Sequence, residues 1–93
     1  MKFRITRHST ASPPPDALDL LLARLGTRRD EVSFVRVGSE IRATLHDDDA
    51  PVAMTRDERT DIGRRVVLGV VSDICERVPE LKFDWYAVGP AGS

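Results

Sequence analysis

The sequence predicts an α+β domain with the element order βαββαβ, a split βαβ (ferredoxin-like) two-layer sandwich with a four-stranded antiparallel sheet and two helices on one face. Three observations indicate this class. Residues 55–78 carry a long apolar stripe at helical spacing, residues 31–46 have the pattern of a hairpin, and alternating segments lie near both ends of the chain. Right-handed crossovers would place the first and third strands in the middle of the sheet.

The first strand is predicted over residues 2–8, where apolar and polar residues alternate. Phe3 and Ile5 would face a core, while Lys2 and Arg4 would face solvent. A period of two is typical of a strand with one buried side. The polar side of this strand would therefore remain free of covering elements.

A first helix follows a proline-rich break. Leucines recur at three- and four-residue spacing between positions 18 and 25, which predicts one apolar helix face. Two starts are open, since Ser12 can cap the helix with Pro13 at its first position, or Asp16 can be the cap. Gly26 is expected to end the helix, because glycine readily adopts the left-handed conformation found there.

A β-hairpin is predicted over residues 31–46, with a two-residue Gly-Ser turn at positions 38–39. The resulting register pairs Val37 with Glu40, Val35 with Arg42, Phe34 with Ala43, and Val32 with Leu45. One side of the hairpin is then apolar, and a shift by one residue would scatter it over both faces. That apolar side consists of Val32, Phe34, Ile41, Ala43 and Leu45.

The second helix is predicted over residues 55–78, where Thr55 and Glu58 have the spacing of a capping box. The wide apolar stripe predicted to lie on the sheet combines two neighbouring rows, Ile62, Val66, Val70, Ile74 and Val78 with Gly63, Val67, Val71 and Cys75. Gly63 and Gly69 each cost about 1 kcal/mol relative to alanine. They either admit a close approach by a neighbouring backbone or are simply tolerated.

A last strand is predicted over residues 82–88. Trp85 and Tyr86 lie on its opposite sides, and alternation alone leaves open which of them faces solvent. The sequence therefore predicts a single α+β domain over residues 1–88, with residues 89–93 as a flexible C-terminal tail.

Composition and charge argue against several partners. The chain has 93 residues, a net charge of −1 and one cysteine. Such a charge gives no general attraction for nucleic acid. No segment approaches the roughly 20 apolar residues of a membrane span, so no membrane association is expected. Because a lone cysteine makes no internal disulfide, a reducing, cytoplasmic location is expected.

RNA binding is the first function to weigh, because RNA-recognition modules with this element order stack bases on aromatics of the two central strands. The predicted third strand, residues 40–45, contains no aromatic residue, and Phe3 belongs to the core side. Lys2, Arg4 and Arg42 could form a weak basic patch on the uncovered face of the sheet, which Glu40 would dilute. Nucleic-acid binding is therefore an alternative rather than the expected function.

No metal or other cofactor is expected. Cys75 lies in an apolar stripe with no Cys or His within one turn, which predicts a buried structural thiol. Residues 46–49 offer an imidazole and three carboxylates, but they lack the alternating spacing and the glycine of a divalent-ion loop. An acidic surface loop is the simpler interpretation.

Catalytic residues are equally sparse. His8 and His46 end neighbouring antiparallel strands of the predicted sheet, so they would lie about 20 Å apart. No carboxylate has an imposed position beside His8, and the chain lacks Asn and Gln, which can complete an oxyanion hole. The sequence therefore favours a protein that is not an enzyme.

Protein association through the uncovered face of the sheet is the remaining interpretation. The predicted partner-binding residues are Arg4, Val35, Val37, Arg42 and Tyr86. Exposed valines beside an aromatic side chain, with charge at the rim, are typical of a surface that binds a partner. A homo-oligomer or a complex with another protein is expected, and small-ligand or nucleic-acid binding through the same face is the alternative.

Overall fold

The computed structural model describes residues 1–8, 10, 12–26, 28–29, 32–46 and 55–91. These residues form five strands and two α-helices. The strands are β1 (Lys2–Arg7), β2 (Arg28–Arg29), β3 (Val32–Val37), β4 (Glu40–Leu45) and β5 (Tyr86–Pro90). The helices are α1 (Ala17–Leu25) and α2 (Arg56–Arg77), and a 3-10 turn, Phe83–Trp85, leads into β5.

The strands form one antiparallel sheet in the order β2-β3-β4-β1-β5. Apart from the two-residue β2, this is the order of a split βαβ sandwich, with β1 and β4 in the middle as predicted. Helix α1 contacts β1, β3 and β4, and α2 contacts α1 and β5. The predicted α+β class is confirmed, and β2 is an addition to the predicted element order.

The β3–β4 hairpin has the predicted register. Its Cα partners are Val37 with Glu40, Val35 with Arg42, Phe34 with Ala43, and Val32 with Leu45. Gly38 in the turn has a φ of 57°, a conformation that glycine adopts without strain. On the apolar side, Arg36 Nε donates to the Gly38 carbonyl at 2.9 Å, and its guanidinium pairs with Asp19 of α1. The one charged residue on that side is thus paired.

A single apolar core lies between the sheet and the two helices. The sheet contributes Phe3, Ile5, Val32, Phe34, Ile41, Ala43, Tyr86 and Val88. The helices contribute Ala17, Leu18, Leu21 and Leu25 from α1, and Val67, Val71 and Ile74 from α2. Removing these side chains from water is the main favourable contribution to folding.

Helix α1 begins after Asp16 and ends before Gly26. Of the two predicted starts the structure selects Asp16, although its side chain makes no capping hydrogen bond. Gly26 has a φ of 76°, and its N–H donates to the Leu22 carbonyl at 2.9 Å. The predicted glycine stop is therefore confirmed.

Helix α2 has the predicted cap, but it buries only one side of the predicted stripe. Thr55 Oγ1 accepts a hydrogen bond from the Glu58 N–H at 3.1 Å. Ile62 and Val66, predicted to face the sheet, are 44% and 41% exposed, whereas Val67 is fully buried. The buried row is Gly63, Val67, Val71 and Ile74. The structure thus buries the Gly63 side of the predicted stripe together with Ile74, and it leaves Ile62 and Val66 at the exposed border of the stripe.

Strand β5 lies later in the chain than the sequence predicts. The 3-10 turn occupies the first part of the predicted strand, and β5 continues to Pro90. Pro90 pairs with Phe3, and the Ala91 N–H donates to the Lys2 carbonyl at 3.2 Å. Residues 89–91 of the predicted tail therefore pair with β1, while residues 92–93 lie outside the described residues.

Candidate protein-association surface

One face of the sheet is not covered by either helix. Side chains of a strand alternate between the two faces, so the residues between the buried positions project to this side. We call this surface the open face. Among the residues whose side chains the structure describes, it comprises Lys2, Arg4, Thr6, Ser33, Val35, Val37, Glu40, Arg42, Thr44, Ala87 and Gly89.

Two valines of β3 are the large exposed apolar side chains of the open face. Val35 is 56% exposed and Val37 is 44% exposed. The hairpin register keeps both on the same side of the sheet, opposite Arg42 and Glu40. Because water reaches this apolar pair, covering it with a partner would be favourable.

Basic side chains outnumber acidic ones on the open face. Arg4 of β1 lies directly opposite Arg42 of β4, and Lys2 is on the same side of the sheet. Arg42 Nε donates to the Glu40 carboxylate. Within the described part of the chain, Arg4 and Lys2 have no ion-pair partner. Like charges directly opposite each other destabilise a sheet. An acidic side chain of a partner could supply the counter-charge that Arg4 lacks.

The predicted position of Tyr86 on the open face is wrong. Its side chain is 6% exposed and lies on the helix-covered side, where its hydroxyl donates to the Ala17 carbonyl at 2.8 Å. Because Val88 pairs with Ile5 of the core, Tyr86, two residues earlier, shares that side. Trp85 is half-buried against the core. The open face, as described, therefore contains no large aromatic side chain.

The burial of Tyr86 predicts a pH-dependent stability. Burial raises the pKa of Tyr86 to about 12, with smaller contributions from Cys75 and Asp16. The ordinary pKa of tyrosine is 10.0. The contribution of the protonated Tyr86 hydroxyl to the free energy of unfolding is therefore fully present below pH 10 and is lost as the pH rises to about 12. Tyr86 is the one tyrosine in the chain, so ultraviolet absorbance reports it directly. We expect the Tyr86 phenolate to form only as the protein unfolds. If Tyr86 ionised near pH 10 while the circular dichroism spectrum remained native, the buried position would be contradicted.

The outer strand β5 is protected against pairing with another strand. Pro90 has no N–H to donate, and Arg64 Nε of α2 donates to the Val88 carbonyl at 3.0 Å. Both features interfere with the hydrogen-bond ladder that an added strand would need. A partner of this sheet is therefore expected on the open face rather than along β5.

The two histidines lie at opposite ends of the central strands. Lys2 pairs with Thr44, so His46, just after β4, is near the start of β1, while His8 follows its end. His46 Nε2 shares a hydrogen bond with Ser33 Oγ at the border of the open face. The two imidazoles therefore do not line one site.

A shallow hollow beside β1 contains His8, Thr10 and Asp84. Thr10 Oγ1 lies 2.6 Å from His8 Nδ1. Among the described residues, no hydrogen bond joins Asp84 to the imidazole. Activating a hydroxyl nucleophile requires a base that a third group orients, and the hollow does not present that arrangement.

Metal ligands do not gather in the described residues, which contain no group of three or more His, Cys, Asp or Glu side chains able to hold an ion. Cys75 is a free, half-buried thiol, and desolvation raises its pKa above the usual value. A raised pKa keeps the thiol protonated and weakly nucleophilic. The acidic residues 47–49, predicted to form a surface loop, lie outside the described residues.

Helix α2 carries a second exposed apolar pair at the border of its buried row, which sequence reasoning missed. Ile62 and Val66 lie one turn apart and have nearly the same exposure as Val37. The apolar stripe of α2 is wider than the strip that the sheet covers, so periodicity could not identify its exposed border. The pair offers a comparison for the valines of the open face.

Comparison with known proteins does not assign a function. No protein-family model, curated protein or solved structure matches the chain. None of the described helices is both long enough and apolar enough to cross a lipid bilayer. A functional interpretation therefore depends on the geometry of the open face.

Proposed function

We propose that this chain is a non-enzymatic protein-association domain whose open face binds another polypeptide. The observation that carries the proposal is the exposed pair Val35 and Val37 beside Arg42, on a sheet face that both described helices leave uncovered. Exposed apolar patches with charged rims are typical of protein interfaces. The lone Cys75 thiol suits a reducing compartment, and we place the domain in the cytoplasm.

Two kinds of occupant fit this function, namely a second copy of the chain and a different protein. A small anionic ligand or a nucleic acid is the second candidate, favoured by Arg4 lying opposite Arg42. Sequence-tolerant nucleic-acid binding usually adds aromatic side chains on which bases stack. The large exposed apolar side chains of the open face are valines, on which bases cannot stack. The open face therefore favours a polypeptide over a nucleic acid.

Replacing both valines by threonine tests the proposed function. Threonine keeps the β-branched shape and the strand propensity, so V35T/V37T should remain folded. Losing about 1 kcal/mol of apolar burial at each site should weaken association by about 30-fold. The measurements are quantitative capture from a native extract and sedimentation of the purified protein over a range of concentrations, each on wild type and variant.

The matched control is I62T/V66T, which changes side chains of similar exposure on α2. We expect this variant to associate as the wild type does. If I62T/V66T abolished association while V35T/V37T preserved it, the interface would belong to the helical layer and the proposal would be wrong. A strict monomer that captures no partner would also count against it.

A further inference from the structure

We infer that the open face binds an acidic segment of a different protein, with a carboxylate between Arg4 and Arg42 and an apolar side chain over Val35 and Val37. This inference rests on the proposed function and specifies the chemistry of the partner. It also excludes a second copy of this chain as the main occupant.

The charge of the open face is the first reason. Among the side chains that the structure describes, three on the open face are basic, Lys2, Arg4 and Arg42, and one is acidic, Glu40, although the whole chain has a net charge of −1. Glu40 is already paired with Arg42, and its side chain is only 17% exposed. Positive charge is therefore concentrated where a partner would dock, and charge complementarity favours an acidic one.

The geometry of the two arginines is the second reason. Arg4 and Arg42 are direct partners across β1 and β4, and Cβ atoms in such pairs lie about 5 Å apart. On its other side Arg4 pairs with Gly89, where even an added Cβ would have no neighbour within 4 Å. Arg4 and the Nη atoms of Arg42 can thus approach one carboxylate from an uncovered side, while Arg42 Nε keeps its hydrogen bond to Glu40. Such bonds are charge-assisted and directional.

A second copy of the chain would fit this surface poorly. In a two-fold dimer the same patch meets itself, so the basic side chains of one copy would face those of the other. Among the described side chains of the open face the acidic one is Glu40, which is held by Arg42 of its own chain. Like charges brought together across an interface oppose binding.

A nucleic acid also fits less well than an acidic polypeptide. The bulky apolar side chains of the open face are Val35 and Val37, which offer apolar contact but no π-face for a base. A peptide with an apolar residue two positions from an acidic one would satisfy both the arginines and the valines, because side chains two positions apart in an extended segment share one face.

Selection from a displayed random-peptide library on the intact chain tests this chemistry. We expect enriched peptides to carry Asp or Glu two positions from Val, Ile or Leu, so that both side chains face the same way. Fluorescence anisotropy with the most enriched peptide then compares variants. R4Q should weaken binding about tenfold through loss of a charge-assisted bond. R24Q, which changes an exposed arginine on α1, should leave binding unchanged.

A stability measurement separates ligand binding from a structural role of Arg4. Because R4Q removes a like-charge pair from the sheet, its urea midpoint should equal or exceed that of the wild type. Weaker binding by an equally stable variant identifies Arg4 as a contact to the partner. The charge-reversed R4E should lose the acidic peptide and gain affinity for an analogue with Lys in place of Glu.

The inference would be overturned by enriched peptides without acidic residues, by no enrichment, or by equal losses for R4Q and R24Q. If neutral peptides are enriched and lose affinity with V35T/V37T, the association function stands and only its acidic chemistry fails. Binding of a single-stranded oligothymidylate that depends on Arg4, without peptide enrichment, would assign the face to nucleic acid. Dimerisation that depends on Val35 and Val37 would assign it to a second copy.

Discussion

Replacing Val67 by aspartate should unfold much of the protein, whereas the same replacement at Val66 should leave it folded. Val67 is fully buried, and Val66 is 41% exposed. An unpaired carboxylate in the core costs several kcal/mol, a large part of the about 5–15 kcal/mol that stabilises a typical domain. At Val66 the carboxylate remains in water, so we expect the free energy of unfolding to change there by no more than about 0.5 kcal/mol.

Urea unfolding followed by the fluorescence of Trp85, the one tryptophan in the chain, measures both variants. V66D and V67D make the same chemical change at adjacent interior positions of α2, so helix propensity contributes equally to both. The difference between them therefore reports burial. A larger loss for V66D than for V67D would show that α2 presents the row of Val66 to the sheet, contrary to the structure.

Replacing Gly63 by alanine should destabilise the protein, whereas the same change at Gly69 should stabilise it. A Cβ at Gly63 would lie 2.7 Å from Phe3 Cζ and 2.8 Å from Met1 Sδ. Phe3 is fully buried, so it cannot move without disturbing the core, and overpacking costs about 1–3 kcal/mol. A Cβ at Gly69 would meet nothing within 4 Å, leaving the gain of about 1 kcal/mol in helix propensity.

The same urea experiment measures G63A and G69A, which are expected to shift the midpoint in opposite directions. A double variant adds a control for the contact with Phe3. F3L removes the distal ring atoms, so G63A should cost less in the F3L background than in the wild type. Equal stabilisation by G63A and G69A would mean that Phe3 does not pack against Gly63.

The β3–β4 hairpin shows why part of this fold could be predicted. A two-residue turn at Gly38 leaves one register that keeps every apolar residue on one side. Four of the five predicted partner-binding residues lie on the open face because three of them, Val35, Val37 and Arg42, belong to this hairpin. Arg4 follows from the strict alternation of β1.

The orientation of α2 could not be predicted, because its apolar residues occupy two adjacent rows. Periodicity defines the direction of such a stripe but not which border is buried. Gly63 is part of the row that the structure buries, where it makes room for the Phe3 ring. At Gly63 a side chain, that of Phe3, makes the close approach, instead of the neighbouring backbone that the sequence suggested. At Gly69 an added Cβ would meet nothing within 4 Å, so that glycine is simply tolerated.

Tyr86 shows the same limit in a strand. Residues 85–88 are all apolar or aromatic, so alternation does not distinguish the two sides. The structure resolves this by pairing Val88 with Ile5 and bonding the Tyr86 hydroxyl to the Ala17 carbonyl. The open face consequently lacks the aromatic side chain predicted for it, and its apolar part is the valine pair.

The sequence by itself determined the order of the two helices and the four longer strands, the helix ends at Thr55 and Gly26, and the hairpin register, since each depends on residues close together in the chain. The tertiary structure decided the rotation of α2 and the side taken by Tyr86. Those choices depend on how distant side chains fit, with Phe3 against Gly63 and Tyr86 against α1. Close packing in the core admits few such fits, and local patterns do not encode them.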